Sequence, residues 1–122
     1  MELLEKDLTG KIISACFEVS NELGVGFLES VYEKALIIAL ADKEIDATAQ
    51  EPLKVLFRGK IVGDFYADIL VEDKIIVELK AVKALSPEHG AQIINYLKAT
   101  GIKVGLLINF GKPKLEWKRL VY

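Results

Sequence analysis

Three residues at strand spacing could do chemistry together: Asp68, Glu78 and Lys80. Side chains alternate along a strand, so Glu78 and Lys80 share one face while Val77 and Leu79 share the other. The apolar runs Phe65 to Val71 and Ile75 to Lys80 are separated only by Glu72-Asp73-Lys74, which reads as a hairpin loop. A three-residue loop pairs Val71 with Ile75, and that register sets Asp68 opposite Glu78. Directly opposed residues have Cβ atoms about 4.5–5.5 Å apart. Two carboxylates that close repel unless a cation lies between them. A hard divalent ion, Mg²⁺ or Mn²⁺, takes oxygen ligands of this kind. Lys80 adds one positive charge on the same face. Taken alone, D-x₉-E-x-K describes a solvated cross-strand charge cluster equally well.

The surrounding pattern supplies the elements that must position these groups. Apolar spacing from Leu8 to Leu23 predicts a first helix over Gly10 to Leu23, closed by Gly24. A second helix runs from Leu28 to Asp42. At about 100° per residue, Glu29 and Glu33 fall on one line with Leu36 and Leu40, inside the apolar arc. Thr48 to Phe57 reads as a strand, with Pro52 marking an edge or bulge, and Arg58-Gly59-Lys60 as a turn. Ser86-Pro87 has the chemistry of a helix start. That third helix reaches Thr100 and carries Gln92 and Tyr96 one turn apart. Ile102 to Phe110 is a strand buried on both faces, and Leu115 to Tyr122 alternates like a last one. The order α-α-β-β-β-α-β-β predicts an α/β fold, a mixed sheet of four or five strands flanked by helices. The strand–helix–strand stretch from Ile75 to Phe110 should give parallel strands.

At 122 residues, 52% hydrophobic and 28% charged, residues 1–122 are expected to form one domain with a real core. The high apolar share also leads us to expect a homodimer. A net charge of −2 advertises no overall positive field. A local basic face could still form from Lys98, Lys103, Lys112, Lys114, Lys118 and Arg119. One Cys and one His exclude an internal disulfide and a His/Cys zinc cluster. The opening residues lack a signal-peptide pattern, and the longest apolar run, Ala35 to Ala41, is too short for a bilayer. A cytoplasmic protein with no membrane partner is therefore expected. Cys16 and Trp117 read as core and His89 as surface. Tyr32 stays open between core and site.

Gly26-Phe27-Leu28-Glu29-Ser30-Val31-Tyr32 spells G-x-x-E-x-x-Y. With Val77-Glu78-Leu79-Lys80-Ala81, Gln92-Ile93-Ile94-Asn95-Tyr96-Leu97 and Val104 to Gly111, it resembles the GxxExxY protein family from about Leu8 to Val121. That family in turn resembles the PD-(D/E)XK nuclease superfamily. The resemblance implies a restriction-endonuclease-like fold and a metal-dependent nuclease hydrolysing phosphodiester bonds, with DNA favoured over RNA as the nucleic-acid partner. It implies Mg²⁺ (or Mn²⁺) held by Asp68 and Glu78, with Lys80 orienting water, Glu29 as the early helical acid, and Gln92 and Tyr96 as the helical pair. The alternative is a non-catalytic nucleic-acid-binding or protein-interaction module, or accessory subunit, that keeps the nuclease fold. Two positions depart from the family pattern: Ser20 where histidine is frequent, and Val25 where proline is frequent. Whether Glu29 or Glu33 faces the metal stays open, with Glu29 preferred.

Overall fold

The computed structural model describes residues 4–122; Met1 to Leu3, the start of the segment read for a signal peptide, lie outside them. Helices α1 (Lys6–Leu23) and α2 (Glu29–Asp42) come first, then strands β1 (Ala47–Phe57), β2 (Lys60–Val71) and β3 (Ile75–Lys80). Helix α3 (Pro87–Thr100) crosses over to β4 (Val104–Asn109), and β5 (Glu116–Val121) closes the sequence of elements. The five strands lie side by side in chain order. Only β3 and β4 are parallel, joined through α3; the other neighbours are antiparallel.

The sheet separates two cores. Helices α1 and α2 cover one face through Ile12, Cys16, Val19, Tyr32, Leu36 and Leu40, which meet Ile69, Val77, Leu79, Leu106 and Phe110. Helix α3 covers the other through Ile93, Tyr96 and Leu97, against Leu53, Ala67, Leu70, Ile76 and Leu107. Strand β4 lies between the two layers and is buried at all six positions, as its unbroken apolar run requires. Burial pushes the Cys16 thiol up to about 12, which makes it a packing group and no nucleophile.

Helix α1 starts four residues before the expected Gly10, and β2 starts at Lys60, where the alternation is masked by Gly63-Asp64. Arg58 (φ 51°) and Gly59 (φ 79°) both take positive φ, as a two-residue type I′ hairpin turn demands. That turn carries β2 back along the whole length of β1. Trp117, expected in the core, is 41% exposed: β5 is an edge strand, and its ring is only half covered.

Past β4, Gly111 approaches the chain that leaves β3. A Cβ at Gly111 would sit 2.3 Å from the Val82 carbonyl oxygen and 2.4 Å from the Val82 nitrogen, both backbone atoms. Buried Asn109 ties the same corner: its Oδ1 accepts from Val82 N–H (3.0 Å) and Gly111 N–H (2.9 Å), and its Nδ2 donates to the Val82 carbonyl (3.0 Å). Gly111→Ala should therefore destabilise the fold by about 3 kcal/mol or more, measured by urea unfolding. A change below about 1 kcal/mol would show that this corner yields freely.

Candidate functional site

Strands β2 and β3 pair over only three rungs, Val71↔Ile75, Leu70↔Ile76 and Ile69↔Val77. The loop register is the one expected from Glu72-Asp73-Lys74. The next rung would set Asp68 opposite Glu78, and there the strands part. Side chains replace the missing ladder: Asp68 N–H donates to Glu78 Oε1 (3.2 Å), and Leu79 N–H donates to Asp68 Oδ2 (2.8 Å). Each carboxylate thus satisfies a backbone donor that the split would otherwise leave bare.

The split coincides with a distortion on the other side of β2. Gln50, which the β1–β2 register sets opposite Asp68, is missing from the ladder although the register continues unshifted on both sides. Its φ is +53°, a strained value for a glutamine inside a strand. Both strands change face at this rung. Ile69 and Val71 join the α1/α2 core, whereas Ala67 belongs to the α3 core and the Phe65 ring packs on Tyr96. Asp68 therefore sits at a crossover point, within reach of both sides of the sheet.

Glu78 is buried and its carboxyl is pushed up to about 8. Burial contributes most, followed by the charge of Asp68 and a side-chain hydrogen bond with it; the Asp68 backbone N–H and the Lys80 charge act the other way. Lys80 follows Glu78 on the same face by strand alternation, opposite Asn109. The paired acids and the lysine are brought together.

On the α2 side, Glu29, Ser30, Glu33, Gln50, Asp68 and Leu79 line one cleft of 160 Å³. Glu33 accepts a 2.7 Å hydrogen bond from Gln50 Nε2. Glu29 is exposed at the first turn of α2, and it shares the cleft with Glu33 one turn along and with Leu79 of the sheet. On the α3 side, Tyr96 lies close enough for Glu78 and Asp68 to raise its hydroxyl pKa; burial is the larger cause, and a hydrogen bond with Gln92 opposes them. The two helical sets thus approach the split from opposite faces.

Tyr32 resolves to the core. It is fully buried, its hydroxyl donates to the Gly24 carbonyl (2.7 Å), and its ring stacks on Phe110 at 4.7 Å. His89 is no idle surface group: its Nδ1 accepts from Ser86 N–H (3.1 Å) and closes the capping box of α3. Sequence reasoning missed Gln50 and Asn109, the first because nothing in its type signals a left-handed strand residue. Asn109 carried a usable signal, a polar residue ending a wholly apolar run.

A model of the PD-(D/E)XK nuclease superfamily matches residues 6–120. The chain belongs to that superfamily. Among solved structures, this PD-(D/E)XK domain is similar to the crystal structure of SSO0001, with a TM-score of 0.57 at 17% identity over 96% of this chain. The chain spans 59% of that protein's chain, and the likeness establishes the restriction-endonuclease-like fold. No protein of curated function matches the sequence. No helix among the described residues is long and apolar enough to cross a membrane.

Nucleases of the superfamily generally use divalent metals. Among the described residues no three acidic, histidine or cysteine side chains converge tightly enough to cage an ion. Two adjoining carboxyls, one raised by burial first and by the other's charge second, nevertheless form a pair that retains a proton and whose repulsion, once ionised, a cation would relieve. Mg²⁺ commonly binds through one or two carboxylates and keeps several waters. The residues fit a Mg²⁺-type ion and do not fit a fully protein-caged one.

Proposed function

We propose that this chain is a metal-dependent nuclease that hydrolyses phosphodiester bonds, with DNA as the preferred substrate. The observation that carries the reading is the Asp68–Glu78 carboxyl pair at the strand split, with Lys80 on the same face. Asp68, Glu78 and the Leu79 carbonyl would hold Mg²⁺ or Mn²⁺. Such an ion, when bound, supplies Lewis acidity that polarises the phosphate and acidifies water. Glu78 gives up its proton on loading. Lys80 orients the attacking water and stabilises negative charge developing on the phosphoryl oxygens. Glu29, across the 160 Å³ cleft from Asp68, holds water by hydrogen bonding, and Gln92 and Tyr96 position the strand to be cut. The purified protein should cut at least one member of a panel of single-stranded, duplex and branched DNA and RNA when Mg²⁺ or Mn²⁺ is added. Binding without cleavage across that panel would favour the non-catalytic module, the reading that the net charge of −2 supports.

Self-association belongs to the same proposal. The hairpin β1–β2 runs on past the end of β3, and it exposes Leu56 (61%), Phe57 (58%), Ile61, Val62 (63%) and Tyr66. A cluster of this kind is unusual on a free surface, and a second copy would cover it by symmetric contact. Light scattering at tens of micromolar should give twice the chain mass, and Val62→Lys should return it to one. A parent protein of single-chain mass would dismiss the dimer and leave the site untouched.

A further inference from the structure

Helix α3 and the distal hairpin enclose a second cleft, of 280 Å³, lined by Val55, Phe65, Glu88, Gln92, Asn95 and Tyr96. Its chemistry is unlike that of a phosphate site. No lysine or arginine lines it, and Glu88 brings a carboxylate, held below the usual range by its own backbone N–H and a hydrogen bond with Ser86. An anion entering here would meet a fixed negative charge. A flat, neutral ring rich in hydrogen-bonding groups meets complementary walls instead. Phe65 and Tyr96 offer aromatic surface, their centroids 5.6 Å apart and their planes tilted by 48°, and Phe65 remains 42% exposed. The Gln92 and Asn95 amides each carry donors and an acceptor, and Glu88 only accepts.

The cleft also lies beside the carboxyl pair, since Tyr96 lines it and senses the charges of Glu78 and Asp68. We propose that this cleft receives one unstacked nucleobase of the strand being cut, stacked on Phe65 and held at its polar edge by Asn95 and Glu88. The proposal rests on the nuclease reading and narrows its substrate to strands with an unpaired nucleotide near the scissile bond. Because Glu88 can only accept, the cleft favours bases with an exocyclic amine, namely adenine, cytosine and guanine, over thymine or uracil, whose single N3–H donor is flanked by two carbonyl oxygens that a carboxylate repels.

The test uses the full chain with Mg²⁺ and oligonucleotides of one sequence, either fully paired or with a single unpaired nucleotide that is varied through the four bases. The parent should bind and cut the unpaired-site substrates at least tenfold better than the paired one. Phe65→Ala should remove about tenfold of that preference, the scale of one base–aromatic stack, while the melting shift caused by Mg²⁺ stays intact and certifies the fold and the carboxyl pair. Glu88→Gln should erase the discrimination against thymine, because an amide both donates and accepts. If both variants match the parent on every substrate, the cleft holds no base and the proposal is overturned, with the nuclease reading intact. If the parent neither binds nor cuts any oligonucleotide, the nuclease reading itself fails and takes this proposal with it.

Discussion

Mg²⁺ or Mn²⁺ should raise the melting temperature of the parent protein and leave that of Asp68→Asn unchanged. Asp68 Oδ2 accepts from Leu79 N–H, and an asparagine oxygen keeps that bond, so the variant folds with one ligand charge fewer. An ion that binds only the folded state at a hundred times its dissociation constant adds about 2.7 kcal/mol. In a domain of this size that is on the order of 10 °C. Lys80→Ala should part company with Asp68→Asn: it removes a cation from beside the site, so the metal shift persists or grows, while cleavage falls at least a hundredfold. Three proteins with identical melts, with and without metal, would reduce Asp68, Glu78 and Lys80 to a structural charge cluster.

The second large effect is a dependence on pH. The Glu78 carboxyl titrates near 8 in the folded chain and near 4.5 when unfolded. Between those values the folded state holds one more proton than the unfolded state, so the stability it confers is complete below about 4.5 and is lost as pH rises through 8. A single proton limits the slope to about 1.4 kcal/mol per pH unit. Asp68, Lys80 and Tyr96 are the titratable groups facing it. In chelator, the parent should melt lower at pH 8.5 than at pH 6.5, and Glu78→Gln should flatten that difference. Added Mg²⁺ should reverse the trend, because it requires the ionised carboxylate and binds better as the proton leaves. A parent melt that is level across this range would show that the Glu78 carboxyl is not raised.

Much of the site was legible because strand periodicity is strict. The three-residue loop pairs Val71 with Ile75, and counting back from it along the sequence brings Asp68 to Glu78. Helix α3 was equally readable, since Ser86-Pro87 and Gly101 mark its ends and Gln92 and Tyr96 are one turn apart. What escaped were features made by backbone geometry. Nothing in a glutamine announces φ +53° inside a strand, so the change of face at Gln50 and Asp68 was invisible. With it went the fact that α2 and α3 reach the acids from opposite sides. The placing of Trp117 failed for a different reason: alternation tells which face a side chain takes, but not whether a helix extends far enough to cover it.

The two-residue turn Arg58-Gly59 stands at the tip of the β1–β2 ribbon, in the part beyond Asp68 where no rung ties β2 to β3. Chain can be grafted there in matched lengths, one residue to each strand, without shifting Asp68 along the sheet. An unmatched deletion nearer the split, between Leu53 and Val55, would instead slide one strand past the other and turn its side chains to the wrong face. On a single copy the molecule therefore offers a graft point for an epitope or a fluorophore at one end of the ribbon, where a bulky insert would also block the proposed self-association, and resists a change of length nearer the split.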